Sequence, residues 1–195
     1  GGGVRITLDQ RPDGTSIAAQ AGAVEIHLDV PLPPGHESLG VVVPWSETRF
    51  QYTVKDVARP VSGTLTIEGV THEVGEGSFA VLDHGRGKWP YSMTWNWGAG
   101  YDPARRVGLQ VGGQWTDGTG STENALFVDG RLHKISDVLE WSYDRADWLK
   151  PWHVGGPRVD ATFKPFHERV ATTNLVVLAG ETHQCFGHFS GWATT

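Results

Sequence analysis

The chain has 195 residues and a formal net charge of −6, which argues against nucleic acid or an anionic membrane surface as its main partner. Its single cysteine, Cys185, excludes a disulfide within the chain, and no apolar run reaches the roughly 18 residues of a membrane-spanning helix. Glycine is abundant at 26 residues, so we expect a turn-rich protein. Together these features predict a cytoplasmic protein without membrane insertion.

A period of two dominates the chain from its first predicted strands. In AVEIHLDV (residues 23–30), apolar residues alternate with polar ones, as is typical of a half-buried β-strand. GTLTIEGVTHEV predicts a strand and a hairpin around Gly69. In FVDGRLHKI, Asp129 and Gly130 separate two alternating runs, which is the strongest short hairpin signal in the chain. Short strands at intervals of roughly ten residues predict an all-β antiparallel meander with few or no helices, closed into a barrel or a sandwich.

Three of the nine tryptophans lie in LDHGRGKWPYSMTWNWG (residues 82–98). We predict a turn over Asp83–Trp89 and a strand over Tyr91–Trp97. In such a strand the large side chains at 91, 93, 95 and 97 share one face. That face is either core filling or the wall of a ligand cavity, and the sequence leaves both open. In the predicted turn, Arg86 either pairs with Asp83 or holds a ligand carboxylate.

A second glycine-rich segment, GGQWTDGTGSTENALF (residues 112–127), lacks the lysine of a phosphate-binding loop. It does contain two acids, Asp117 and Glu123, which are candidates for general acid and base work. The alternative is that these residues only form turns. The nine histidines match no metal-binding motif, so we predict neither a metal site nor a cofactor.

Two long motifs resemble a bacterial family known as domain of unknown function 2804. They are WPY-x-x-x-WNW (residues 89–97) and WTDGTG-x-TENALF-x-DGRLHKI (residues 115–135). The resemblance extends over most of the chain, from about Leu28 to Gly191. It implies a distant relation to lipocalin-like (calycin) two-barrel proteins, which include carotenoid hydratases and tocopherol cyclases. It also implies that residues 1–195 are one β-barrel-type domain, the carboxy-terminal portion of a longer protein, in which residues 1–75 contribute an incomplete second barrel or sheet.

Three function classes follow from the residues and the resemblance. The first is the binding of an apolar or amphipathic small molecule in an aromatic-lined cavity. The second is an isoprenoid or alkene hydratase or cyclase that uses Asp117 or Glu123 as a buried carboxylic acid. The third is carbohydrate binding or processing. The oligomeric state is left open. The candidate ligand-binding residues are Arg86, Trp89, Tyr91, Trp95, Asn96, Trp97, Gln110, Trp115 and Asn124.

Overall fold

The computed structural model describes residues 3–175 and 178–195, and the regular elements in these ranges are all β-strands. The strands pair only in antiparallel fashion, which confirms the predicted all-β class. Nothing in these ranges forms a helix of the length and apolar character that crossing a bilayer requires.

The strands form four sheets. The first sheet, in the order β1-β2-β3-β6-β7, uses β1 (Val4–Arg11), β2 (Gly14–Ala21), β3 (Val24–Pro31), β6 (Ser62–Ile67) and β7 (Val70–Val74). The front sheet, β4-β5-β8, uses β4 (Leu39–Ser46), β5 (Arg49–Pro60) and β8 (Phe79–Lys88). The central sheet, β12-β11-β10-β9, uses β9 (Asn96–Asp102), β10 (Val107–Gly113), β11 (Asn124–Val128) and β12 (Arg131–Ile135). The back sheet, β13-β14-β15-β16, uses β13 (Glu140–Ser142), β14 (Trp152–Gly156), β15 (Val159–Leu175) and β16 (Leu178–Ala193).

The central sheet lies between the front and back sheets, because alternate residues of β11 enter different cores. Ala125 and Phe127 belong to a core shared with the front sheet, whereas Leu126 belongs to a core shared with the back sheet. The first core consists of Leu39, Val41, Val43, Val57, Trp115, Ala125 and Phe127. The second consists of Val111, Leu126, Ile135, Leu139, Val154, Val159 and Ala161.

The hairpins predicted around Gly69 and at Asp129 and Gly130 are confirmed. Asp129 and Gly130 both have positive φ, and the flanking residues Val128 and Arg131 pair directly, as a two-residue hairpin turn requires. The turn before β7 has the same form at Glu68 and Gly69. The central and back sheets are also meanders in chain order. Among the described strands, however, no sheet closes on itself into a barrel.

The predicted secondary structure of residues 83–97 is wrong. The predicted turn Asp83–Trp89 lies almost entirely within strand β8, which pairs with β5 from Leu82 to Lys88 in unbroken register. The predicted strand Tyr91–Trp97 is irregular up to residue 95, and β9 begins only at Asn96. Strand β8 ends at Lys88 because Pro90 has no N–H to continue the hydrogen-bond ladder.

Candidate functional site

Two adjoining cavities lie beside the central sheet and share Trp95 and Trp97. The smaller, about 630 Å³, we call the polar cavity; it is lined by Gln51, Lys55, Asp83, Gly85, Arg86, Gly87, Trp89, Trp95, Trp97, Trp115 and Glu123. The larger, about 700 Å³, we call the aromatic cavity; its rings are Phe79, Trp95, Trp97, Trp141, Tyr143, Trp148, Trp152, Phe163, His183, Phe186 and Phe189.

One wall of the polar cavity is the inner face of β5 and β8. Alternation along β5 places Gln51 and Lys55 on this face, opposite Gly87 and Asp83 of β8. The glycines of β8 leave the space that the Gln51 side chain fills: a Cβ at Gly85 would lie 1.9 Å from Gln51 Nε2, and one at Gly87 would lie 2.6 Å from Gln51 Oε1. Gly85 and Gly87 are therefore needed within the strand because the Gln51 side chain packs closely against them.

A buried lysine lies between two carboxylates in this cavity. Lys55 Nζ is 2.7 Å from Asp83 Oδ2 and 3.2 Å from Glu123 Oε2. Nζ also lies 5.5 Å from the centroid of the Trp97 ring, within the range of a cation–π interaction. Lys55 and Glu123 are buried, while the Asp83 side chain is 46% exposed. The cluster formed by Glu123, Lys55 and Asp83 therefore extends from the interior to the cavity mouth.

Glu123 is the innermost member of this group and is fully buried. Trp115 Nε1 donates a hydrogen bond of 2.5 Å to its Oε1, whereas Oε2 has only the ionic contact with Lys55, without hydrogen-bond alignment. Burial raises the pKa of Glu123, and this outweighs the lowering by Lys55 and by the Trp115 hydrogen bond. Glu123 thus retains a proton at a higher pH than an exposed glutamate does.

Tryptophans hold the remaining polar wall in place. Trp89 Nε1 donates to Gln51 Oε1 at 2.6 Å, and Trp45 Nε1 donates to the Trp115 carbonyl at 2.8 Å. The Trp45 ring lies 6.0 Å from both the Trp89 and the Trp115 rings. Since these indole N–H groups are paired, the rings lie in fixed orientations around the cavity.

The aromatic cavity lies at the free edge of β9, between β8 of the front sheet and β16 of the back sheet. Gly98 and Gly100 of β9 let Phe189 approach closely, because a Cβ at either position would lie 3.2–3.3 Å from its ring. On the far side, Tyr143 packs against Trp148 and Trp152 at 5.2 and 5.0 Å between ring centroids. Aromatic rings therefore form much of the lining, alongside polar side chains that include Gln114 and Gln184.

The aromatic cavity is also lined by charged or titratable side chains, namely Arg145, Glu181 and His183. His183 stacks on Trp148 at 4.2 Å between ring centroids, and its two ring nitrogens contact Glu168 and Glu181 at 2.6 and 3.1 Å. Burial raises the pKa of the Cys185 thiol, so this residue stays protonated. Within residues 3–175 and 178–195, no group of three or more His, Cys, Asp or Glu side chains is arranged so that it could hold a metal ion.

The family described as Domain of unknown function (DUF2804) matches residues 1–195. The chain belongs to this family. The resemblance carried by the tryptophan motifs is therefore confirmed, while the more distant lipocalin-like relation is not. No curated protein and no solved structure matches the chain.

Several predicted site residues of this DUF2804 chain do line the cavities. Trp95 and Trp97 face both of them, and Glu123 with the Trp115 ring closes the polar one. Trp89 and Arg86 lie at the polar cavity, but the ion pair of Asp83 is with Lys55 and not with Arg86. Asn96 lines the aromatic cavity, where its Oδ1 accepts a hydrogen bond of 3.0 Å from the Tyr143 hydroxyl.

Four predicted residues of the DUF2804 chain lie elsewhere. Tyr91 is 95% exposed and lines neither cavity, so the expected four-residue aromatic face does not form. Asp117 lies in an exposed turn and does not join Glu123 as a pair of acids. Gln110 is buried behind the cavities and accepts a hydrogen bond from Trp97. Asn124 is also buried and receives the backbone N–H of Gly112 at 2.7 Å, a structural role.

Lys55 and Gln51 form much of the polar wall of this DUF2804 site, but the sequence analysis did not identify them as site residues. Their segment, FQYTVKD (residues 50–56), alternates as a strand does, but the alternation does not show which face is inside. The polar face is the buried one, whereas Phe50 and Tyr52 are exposed. A lysine and a glutamine alternating with apolar residues in a strand are the signal that could have identified them.

Proposed function

We propose that this DUF2804 protein binds an amphipathic small molecule, with its apolar part in the aromatic cavity and its polar part in the polar cavity. The observation that carries the proposal is that Trp95 and Trp97 line both cavities. One molecule that lies along both rings would contact both environments.

The size and lining of the cavities support this proposal. Their volumes, about 630 and 700 Å³, lie in the range of small-molecule sites. An apolar lining with few polar groups at one end is the usual composition of such sites. The proposal retains the lipocalin-like character expected from the resemblance, namely a β-protein that encloses its ligand, in this case between sheets.

Substitution of Trp95 by alanine tests the proposal. The Trp95 side chain belongs to neither core cluster and the residue is 47% exposed, so Trp95→Ala should lower the free energy of unfolding by only about 1 kcal/mol. It should weaken binding of an isoprenoid alcohol such as retinol about tenfold, since a central tryptophan contributes strongly to binding. Energy transfer from tryptophan to bound retinol measures the affinity, and urea unfolding measures stability.

Tyr91→Ala is the matched control, because Tyr91 is an exposed aromatic residue four positions away that lines neither cavity. It should change neither retinol affinity nor stability. Unchanged affinity in Trp95→Ala, or absence of retinol binding by the parent protein at any concentration tested, contradicts the proposal.

Glu123 supports a second candidate function, acid catalysis on an unsaturated isoprenoid. A buried carboxylic acid whose pKa is raised can protonate an alkene carbon, after which water adds to the cation and returns a proton to the Glu123 carboxylate. Incubation with farnesol should then give a hydrated product by mass spectrometry, and Glu123→Gln should abolish it while retaining farnesol binding. Equal product from Glu123→Gln and the parent protein eliminates this function.

A further inference from the structure

The polar cavity combines exposed tryptophan faces with balanced charges, since its lining contains two cations, Lys55 and Arg86, and two carboxylates, Asp83 and Glu123. Trp89 and Trp95 are 43% and 47% exposed, and both line the cavity. Between them and the interior, Lys55 is paired with Asp83 and Glu123. This is not the environment of an ion-binding site, because the cation inside already has two carboxylate partners.

We infer that the polar cavity holds a neutral sugar-like head group, so that the ligand is a glycosylated apolar molecule. This inference rests on the proposed function, since it identifies the polar part of the amphipathic ligand. The sugar stacks by its C–H face on an exposed indole, and its hydroxyls exchange hydrogen bonds with the polar wall.

The polar wall offers both donors and acceptors, as a set of hydroxyl groups requires. Asp83 is the most accessible acceptor, because its half-exposed carboxylate can accept more bonds than its contacts with Lys55 and the Thr53 hydroxyl use. The Lys55 ammonium has three N–H donors for two carboxylate partners. Trp89 Nε1 donates a hydrogen bond to Gln51 Oε1, which leaves the N–H groups of Gln51 Nε2 as donors. A hydroxyl both donates and accepts, so it matches this mixed set better than an anion or a cation does.

Other head groups fit the wall less well. A bound anion would be repelled by Asp83 and Glu123, and a bound cation would be repelled by Lys55 and Arg86. An uncharged ether chain could stack on the rings but has no hydroxyl to donate to Asp83. The cavity should therefore discriminate among amphiphiles that share one tail and differ only in the head group.

Isothermal titration calorimetry with four octyl amphiphiles, each below its critical micelle concentration, tests the inference. The head groups are glucoside, tetra(ethylene glycol), trimethylammonium and sulfate. Octyl glucoside should bind about tenfold more tightly than the other three, as expected from two additional net hydrogen bonds. In Trp89→Leu this preference should disappear while the octyl ether still binds, because Trp89 lines only the polar cavity. Tyr91→Leu, the control, should keep the preference.

The outcomes separate the inference from the proposed function. Equal binding of all four amphiphiles overturns the sugar head group but leaves the amphipathic site intact. Tightest binding of the ammonium or of the sulfate likewise overturns it, in favour of a charged ligand. Retention of the glucoside preference in Trp89→Leu shows that the sugar lies elsewhere and overturns the assignment to this cavity. Binding of none of the four overturns both proposals.

Discussion

Replacing Lys55 by methionine should lower the free energy of unfolding by about 3–5 kcal/mol at neutral pH. The loss arises because Glu123 is fully buried and Lys55 is the cation that contacts its Oε2 at 3.2 Å. Without Lys55 the ionised carboxylate is left uncompensated in the interior. Urea unfolding followed by tryptophan fluorescence measures the difference.

The effect of Lys55→Met should depend on pH with a defined sign. The pKa of Glu123 is already raised by burial in the folded protein, and loss of Lys55 raises it further. Because the pKa of Glu123 is higher in the folded state, the stability that this residue contributes is fully present below its pKa in the unfolded state, about 4.3. That stability is lost as the pH rises through the pKa of the folded state. Lys55→Met should therefore be less destabilising near pH 4 than near pH 7.

An exposed lysine provides the control. Lys150 forms a 2.6 Å ion pair with Asp144 at the surface, where water screens the charges, so Lys150→Met should leave stability nearly unchanged at either pH. The double variant Lys55→Met, Glu123→Leu should regain much of the lost stability, because no uncompensated charge stays buried. A loss in Lys55→Met as small as that in Lys150→Met contradicts the assignment of a buried ion pair.

Gly112→Ala should destabilise the protein by at least about 2 kcal/mol. Gly112 lies on β10, and a Cβ there would lie 2.0 Å from Glu123 Oε1 and 2.3 Å from its Cγ. Glu123 cannot move aside freely, because it is fully buried and Trp115 holds its Oε1. The substitution should therefore also alter the surroundings of Trp115, which near-ultraviolet circular dichroism detects.

Gly75→Ala is the matched control, since nothing lies within 4 Å of a Cβ at Gly75 and its φ is not in the left-handed region. It should leave both stability and the circular dichroism spectrum unchanged. Equal stability of the two variants would falsify the close contact between Gly112 and Glu123.

Local features of the fold were predictable from the sequence, because a two-residue turn and an alternating strand depend on neighbouring residues. The hairpin at Asp129 and Gly130 is the clearest example. The assignment of Asp83–Trp89 failed for the opposite reason. Gly85 and Gly87 look like turn residues, but their role is set by Gln51, which is more than thirty positions away on a neighbouring strand.

The chemistry of the candidate site was only partly predictable. Glu123 and several tryptophans could be selected by residue type, whereas Tyr91 and Asp117 were selected on the same basis and lie at the surface. Lys55 was missed because an alternating strand has two faces, and the sequence does not state which one meets other sheets. That choice depends on packing between β5 and the central sheet, which no local pattern encodes.

The position of the aromatic cavity among β8, β9 and β16 has a mechanical consequence. Each of these strands is the last in its sheet, and in the described part of the chain no backbone ladder joins one to another. The three sheets can therefore separate at this seam by breaking side-chain contacts alone, while every interstrand hydrogen bond stays intact. An entrance that widens in this way lets a bulky molecule pass without local unfolding of any strand.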